Sequence, residues 1–327
     1  MTNNNKIMNS VRITGRLIES TLEEKISNDN KEYIAGAIKL RTSDNSEHEI
    51  QLYSNKYKKD SDEVNSFYSK YCDFIDNHKS LKNKSDDEEA DIVRISDGVF
   101  QVNDFKNQSG QVVTFDRVSA RNINYPKTEV DESRMTARFT IDGVINSIKD
   151  ELSQGMPTGN LIIDFYVIGT RATKQGNEYI DEVSEIIPIK LTVEKDLAEG
   201  FRSFYTEGCY ARLNGEIINK AETTTEKVKP AFGKEYERTF TNYKKSYKVV
   251  SGDNPIYEYS TINGFSDEIF AQLKAKRKAK LIEVESGVTN RSRANSVASA
   301  PKVNNPFAGG GNPFGGSSFT SNDDLPF

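Results

Sequence analysis

The stretch Val11-Arg12-Ile13-Thr14-Gly15-Arg16-Leu17 puts Val11, Ile13, Gly15 and Leu17 on one side of an extended chain. A period of two is the mark of a half-buried strand. The pattern returns in the second half, where Phe139, Ile141, Gly143 and Ile145 overlay it position for position. Glycine suits such a strand if it coils sharply, because a bend there meets no side chain of its own.

Working outward, Ile34, Gly36, Ile38 and Leu40 share a face, and Ile50 and Leu52 continue the alternation. A helix-like stretch near 61–76 precedes Ile92–Ile95, Val99–Val102 and the run from Val112 to Ile123. The interruptions are short and rich in Asn, Asp, Ser and Gly, as turns require. In the second half, Leu161–Arg171 and Val183–Val193 follow the first strand. Ser203-Phe204-Tyr205-Thr206-x-x-Cys209 then echoes Ser66-Phe67-Tyr68-Ser69-x-x-Cys72, again after the third strand. Phe67, Tyr68, Phe204 and Tyr205 are expected to face the core.

Internal duplication follows from these matches; the alternative is two unrelated β-rich domains that share only a strand period. Three strands, a helix and two more strands is the element order of the OB-fold, a small partly open barrel. The expected fold is therefore mainly β, with two OB-fold-like barrels in tandem. Their expected bounds are 1–130 and 131–265, followed by a closing helix over 266–286 and a disordered tail over 287–327. Ser266 can cap that helix, Asp267 and Glu268 suit the positive end of its dipole, and Gly287 stops it. Phe270, Leu273, Leu281 and Val284 give a partial apolar face, and Lys274, Lys276, Arg277, Lys278 and Lys280 make its centre basic. Beyond 287, Ser, Asn, Ala, Pro and Gly dominate, and such a segment cannot offset its ordering entropy by burial.

The chain carries 44 Lys and Arg against 49 Asp and Glu, a net charge of -5. Any polyanion site must therefore be a local patch. Cys72 and Cys209 lie far apart with no metal-ligand spacing, which suits a reducing compartment. The polar N-terminus has no apolar run to act as a signal peptide, and no stretch is apolar enough to span a membrane. A cytoplasmic protein without a membrane partner is expected.

Sequence-independent binding of single strands needs cations for phosphates and exposed rings for bases. Residues 227–248 hold Lys227, Lys229, Lys234, Arg238, Lys244, Lys245 and Lys248 against Glu235 and Glu237. Phe232, Tyr236, Phe240, Tyr243 and Tyr247 are interleaved with them. Between the fourth and fifth strands of the second barrel, this reads as a long hairpin beside the ligand groove. The alternative is a charged hairpin whose rings pack on each other. Shorter clusters are Tyr53, Lys56, Tyr57, Lys58 and Lys59 after the third strand, Tyr33, Lys39 and Arg41 around the second, and Arg117, Arg121 and Tyr125 on or beyond the last. Arg171, Lys174 and Tyr179 surround a loop of the second half.

Asp86-Asp87-Glu88-Glu89 reads as a solvated loop, since contiguous carboxylates repel one another and no second cluster accompanies them. His48 and His78 have neither metal spacing nor a nucleophile partner, and no phosphate-cradling Gly-rich Lys loop occurs. No catalytic constellation, metal or cofactor is expected.

The chain ends Asp323-Asp324-Leu325-Pro326-Phe327 after a spacer of Gly, Asn, Pro and Phe. A pocket could bury the Phe ring and pair the carboxylates with Lys or Arg. This tip resembles the acidic C-terminal tip of bacterial single-stranded DNA-binding proteins, which ends Ile-Pro-Phe; Leu325 replaces the Ile, and the aspartates are fewer. The resemblance covers about the last 40 residues. It implies docking of replication, recombination or repair proteins. Asn305-Pro306-Phe307 and Asn312-Pro313-Phe314 match an endocytic-adaptor ligand, but read here as a repeated turn element. With duplicated barrels the whole looks like a phage-encoded single-stranded DNA-binding protein. The expectation is a coat for single-stranded DNA that recruits partner enzymes; the competing readings are a replication-machinery adaptor that does not bind DNA and a nuclease subunit. Oligomeric state is not legible.

Overall fold

In the computed structural model, residues 6–287 are described except for 60, 86–88, 176–177, 230–231, 233, 260–261 and 263. The tail and its tip, and Asp86 to Glu88 of the acidic run, lie outside the described residues.

The first half contains β1 (Asn9–Ser20), the short β2 (Glu23–Ile26), β3 (Glu32–Arg41), β4 (Glu47–Asn55), α1 (Ser66–Asn77), β5 (Ile92–Lys106) and β6 (Val112–Ala120). The second contains β7 (Ala137–Ser153), β8 (Met156–Gln175), β9 (Glu178–Val193), α2 (Lys195–Phe204), β10 (Tyr210–Val228) and β11 (Tyr236–Gly252), and α3 (Asp267–Ser286) closes it. The two runs expected at 92–95 and 99–102 are one continuous strand, β5. Gly98 lies in its course, where a Cβ would come 2.8 Å from Val11 O of β1.

Pairing runs β1–β3–β4–β6–β5 and back to β1. The second half repeats it as β7–β8–β9–β11–β10 and back to β7. In each circuit the third and fourth members pair in parallel, β4 with β6 and β9 with β11, while every other pair is antiparallel. β1 also pairs with β7, setting Val11 opposite Phe139 and Ile13 opposite Ala137. The protein is therefore mainly β, and the two expected barrels appear as two circuits of one large sheet. One apolar core runs through both, with Leu17, Ile38 and Ile95 from one circuit and Ile145, Ile163 and Leu213 from the other.

The overlay of first strands holds in space. A Cβ on Gly15 would lie 2.6 Å from Arg41 O, and one on Gly143 would lie 2.0 Å from Tyr166 O. At both positions the neighbouring strand passes too close for a side chain. The helix echo does not hold. Ser66 starts α1, whereas Ser203 and Phe204 end α2. Tyr68 and Tyr205 are buried as expected, but Phe204 is 63% exposed because the final turn of α2 carries it away from the core.

Ser266 Oγ accepts from Ile269 N–H, and Gly287 closes α3 in the left-handed region at φ 71°. Phe270 and Leu273 cover the outer face of β8 and β9 at Tyr166, Ile168 and Ile186. The far end of α3 reaches the first circuit: Arg277 donates through both Nη atoms to the buried Asp104 of β5, each at 2.5 Å. Burial pushes the Asp104 carboxyl up, but bonds from Arg277 and Thr114 outweigh it and hold it below its ordinary value.

Candidate nucleic-acid interface

β10 and β11 pair from Leu213 opposite Gly252 out to Val228 opposite Tyr236, forming one long hairpin. Successive residues of a strand point to opposite faces. The candidates in 227–248 therefore divide. Tyr236, Arg238, Phe240 and Lys244 share one face with Lys220 of β10, and Tyr243, Lys245 and Tyr247 share the other with Lys227.

The second face anchors the hairpin to the first circuit. Tyr243 Oη donates to Glu47 Oε2 at 3.1 Å, and Lys245 Nζ lies 2.6 Å from Asp116 Oδ2. Tyr247 also donates to Asp116. Burial raises the Asp116 carboxyl, but the charge of Lys245 and the two hydrogen bonds win and hold it low. Tyr247 corrects the expectation of an exposed ring. It is 4% exposed and meets Phe100 and Phe139 edge-on, with centroids at 5.1 Å and 6.3 Å. Its side of the strand faces the core, so it belongs to packing, not to base stacking. At the β3–β4 turn, Asn219 donates through its backbone to Ser46 Oγ at 3.1 Å and through Nδ2 to Glu47 O at 2.6 Å.

The first face is open. Tyr236 is 53% exposed, and the Arg238 guanidinium sits 4.5 Å above the half-buried Phe240 ring. Lys244 stands opposite Lys220. Across from this face, Glu151 of β7 is held below its ordinary value by hydrogen bonds from Asn160 and Thr158, with the field of Lys244 assisting. Cations and rings thus alternate along one surface beside the β7–β8 turn, where Leu152 and Met156 are exposed.

In the first half, the outer face of β3 and β4 carries Tyr33 and Tyr53 with ring centroids 5.5 Å apart. Lys39 reaches from this face to 5.8 Å above Tyr243 of the hairpin. Most cations there already hold carboxylates: Lys39 with Glu19 at 3.2 Å, Arg41 with Glu47 at 2.9 Å, Lys58 with Glu63 at 2.5 Å, and Lys56 with Glu32. Lys56 also lies 5.7 Å above the exposed Tyr57 ring, and Lys59 is exposed. Arg121 is exposed at the α1 end, where its carbonyl accepts from Tyr71 Oη at 2.7 Å. Arg171 is exposed on the arm formed by β8 and β9, beside α3, and nothing is described of the Lys174 side chain. Lys227 and Lys234 are exposed, and Lys229 pairs with Glu235 at 3.0 Å. The structure thus joins β3–β4 to the hairpin and leaves Arg121 and Arg171 on other sides.

Lys220 was not among the expected residues, because only strand register reveals its partner. Arg117, expected from the cluster on the last strand of the first half, lies on β6. Its Nε is the single buried side-chain polar atom without a partner among the described residues, and burial lowers its pKa. Its Nη2 donates to Gln101 Oε1 at 3.5 Å, so the cost of burial falls on the Nε–H.

No helix among the described residues is long and apolar enough to cross a membrane, and no described group of His, Cys, Asp and Glu is arranged for a metal. A search among curated proteins by sequence finds no match. Among solved structures, the chain is similar to the wild-type single-stranded DNA binding protein from Thermus aquaticus, with 9% identity, TM-score 0.42, and 77% of this chain and 94% of that one covered. A Replication Protein A heterotrimer bound to ssDNA gives 13% identity, TM-score 0.21, and coverage of 74% and 49%. At such scores, function has to be read from this chain's own residues. The YorF family model matches residues 7–287.

Proposed function

The chain belongs to the YorF family, and we propose that it is a single-stranded DNA-binding protein that coats and protects strands during replication, recombination or repair. The observation that carries this reading is the open face of the β10–β11 hairpin, where Tyr236, Arg238 over Phe240, and the facing Lys220 and Lys244 alternate rings with cations. Bases stack on the rings and phosphates take the lysines, which requires no particular sequence. The strand continues over the Tyr33–Tyr53 face of β3 and β4, with 1–130 and 131–265 as the two working halves. The binding involves no catalytic step or cofactor. Asp323 to Phe327 recruits partner enzymes, and a phage origin with action in the host cytoplasm fits this role.

Titration with oligo-dT at two salt concentrations, with matched RNA as competitor, tests the reading. Affinity that falls steeply with salt supports it. Absent binding favours the second reading, an adaptor of the replication machinery. That reading draws on the carboxylates already paired with Arg41, Lys56, Lys58 and Lys245.

A further inference from the structure

At the root of the hairpin, α2 and the end of β11 enclose a recess of about 220 Å³ lined by Leu197, Phe201, Phe204, Leu213, Val250 and Pro255. Leu197, Phe204 and Val250 are exposed at its mouth. Ligand pockets for whole small molecules start near 300 Å³, so this volume suits a single inserted side chain. At the other end of the same hairpin, Phe232 is 98% exposed. This ring is a knob that no pocket among the described residues receives.

The ladder from Leu213–Gly252 to Val228–Tyr236 separates the two features. At about 3.3 Å per residue the tip lies roughly 50 Å from the recess, so Phe232 cannot fold back into it. Charge also matches. From Lys227 to Arg238 the tip carries Lys227, Lys229, Lys234 and Arg238 against Glu235 and Glu237, four cations to two anions. The recess is lined by one charged residue, the anion Asp253, and by no cation. The same rim disfavours the acidic Asp323-Asp324 tip as occupant.

We propose that the hairpin tip of one copy docks in the α2–β11 recess of the next, with Phe232 as the buried anchor. The surfaces that meet are different, so the contact is head-to-tail and leaves a free tip and a free recess at the ends. Such an interface does not close by itself and builds linear arrays. Buried aromatic anchors dominate contacts of this kind.

Sedimentation velocity of the full chain without DNA, over a range of concentrations, tests the interface. The unaltered chain is expected to grow beyond a dimer as concentration rises. Phe232→Ser, which removes the knob, and Val250→Glu, which spoils the recess, should each stay monomeric alone. Mixed, they should form one-to-one pairs and stop there, because each supplies the surface the other lacks. Pairing on mixing also shows that both variants are folded. An unaltered chain that stays monomeric, a Phe232→Ser chain that still assembles, or mixed variants that do not pair would each overturn the proposal. So would loss of assembly on removing residues 322–327, since the recess would then belong to the tail. Because no DNA is present, the outcome is independent of the DNA-binding reading.

Discussion

Lys220 and Lys244 stand directly opposite each other on the open face of the β10–β11 hairpin. Lys220 lies 4.0 Å from Asp44, an ion pair at the limit of contact. Two cations facing across a ladder repel, so the position weakens the sheet unless an anion joins them.

Lys244→Gln should therefore separate folding from binding. Relief of repulsion should raise stability by about 0.2–1 kcal/mol. Affinity for oligo-dT should fall, with the salt slope reduced by about one. Urea midpoints and titrations at two salt concentrations measure both. Unchanged binding would remove Lys244 from the site.

The aromatic residues should behave differently on the two faces. Tyr236→Ala and Phe240→Ala should each weaken binding by about 1–3 kcal/mol, with little change in thermal midpoint for the exposed Tyr236. Tyr247→Ala should instead cost about 3–5 kcal/mol of stability, as removal of a buried ring does. If loss of Tyr236 and Phe240 leaves affinity unchanged, the open face does not stack bases.

His48 provides a pH test. It is buried on β4 with Thr42 Oγ1 3.3 Å from Nε2, and burial lowers its pKa from 6.5 to about 4. The unfolded chain takes up this proton near pH 6.5, and the native protein only near pH 4. Stability is thus complete above pH 6.5 and declines as pH falls towards 4. Between pH 6.5 and 5 the loss should be roughly 1–2 kcal/mol. Asp104 and Asp116, whose carboxyls are held low, lose their contribution only at lower pH. Urea midpoints of the parent and His48→Gln across pH 7 to 5 measure this. A slope that survives the substitution would assign it elsewhere.

The attachment of α3 to the first circuit rests on a buried ion pair. Asp104→Ala leaves the Arg277 guanidinium without its partner and should cost about 3–5 kcal/mol. Hydrogen exchange should rise first in the last turns of α3. Uniform exchange along the helix would place its anchor at Phe270 and Leu273 alone.

Removing residues 322–327 should spare oligo-dT binding and abolish capture of replication or repair enzymes. If the acidic tip competes with DNA for the basic face, the truncation should also tighten binding at low salt. Equal loss of binding and capture would contradict the division of labour.

The first-strand overlay was legible because it reflects a backbone constraint. Gly15 and Gly143 repeat since a neighbouring strand approaches both too closely for a Cβ. The α3 caps were legible for the same reason: Ser266 and Gly287 answer local needs of the chain ends. The helix echo misled because a short run of Ser, aromatic and Cys residues has no fixed position in a helix. Ser66 begins one helix, and Ser203 lies near the end of the other.

Alternating apolar residues, turn composition and cap residues thus determined by themselves that the chain is mainly β, with two similar halves and a closing helix. These signals depend on neighbours a few residues apart. Which cations are free, which of Tyr243 and Tyr247 is buried, that Lys220 meets Lys244, and that Phe232 and its candidate recess lie at opposite ends of one hairpin were decided only by the tertiary structure. Those facts depend on register and on packing between residues distant along the chain, where a shift of one position turns every side chain to the other face.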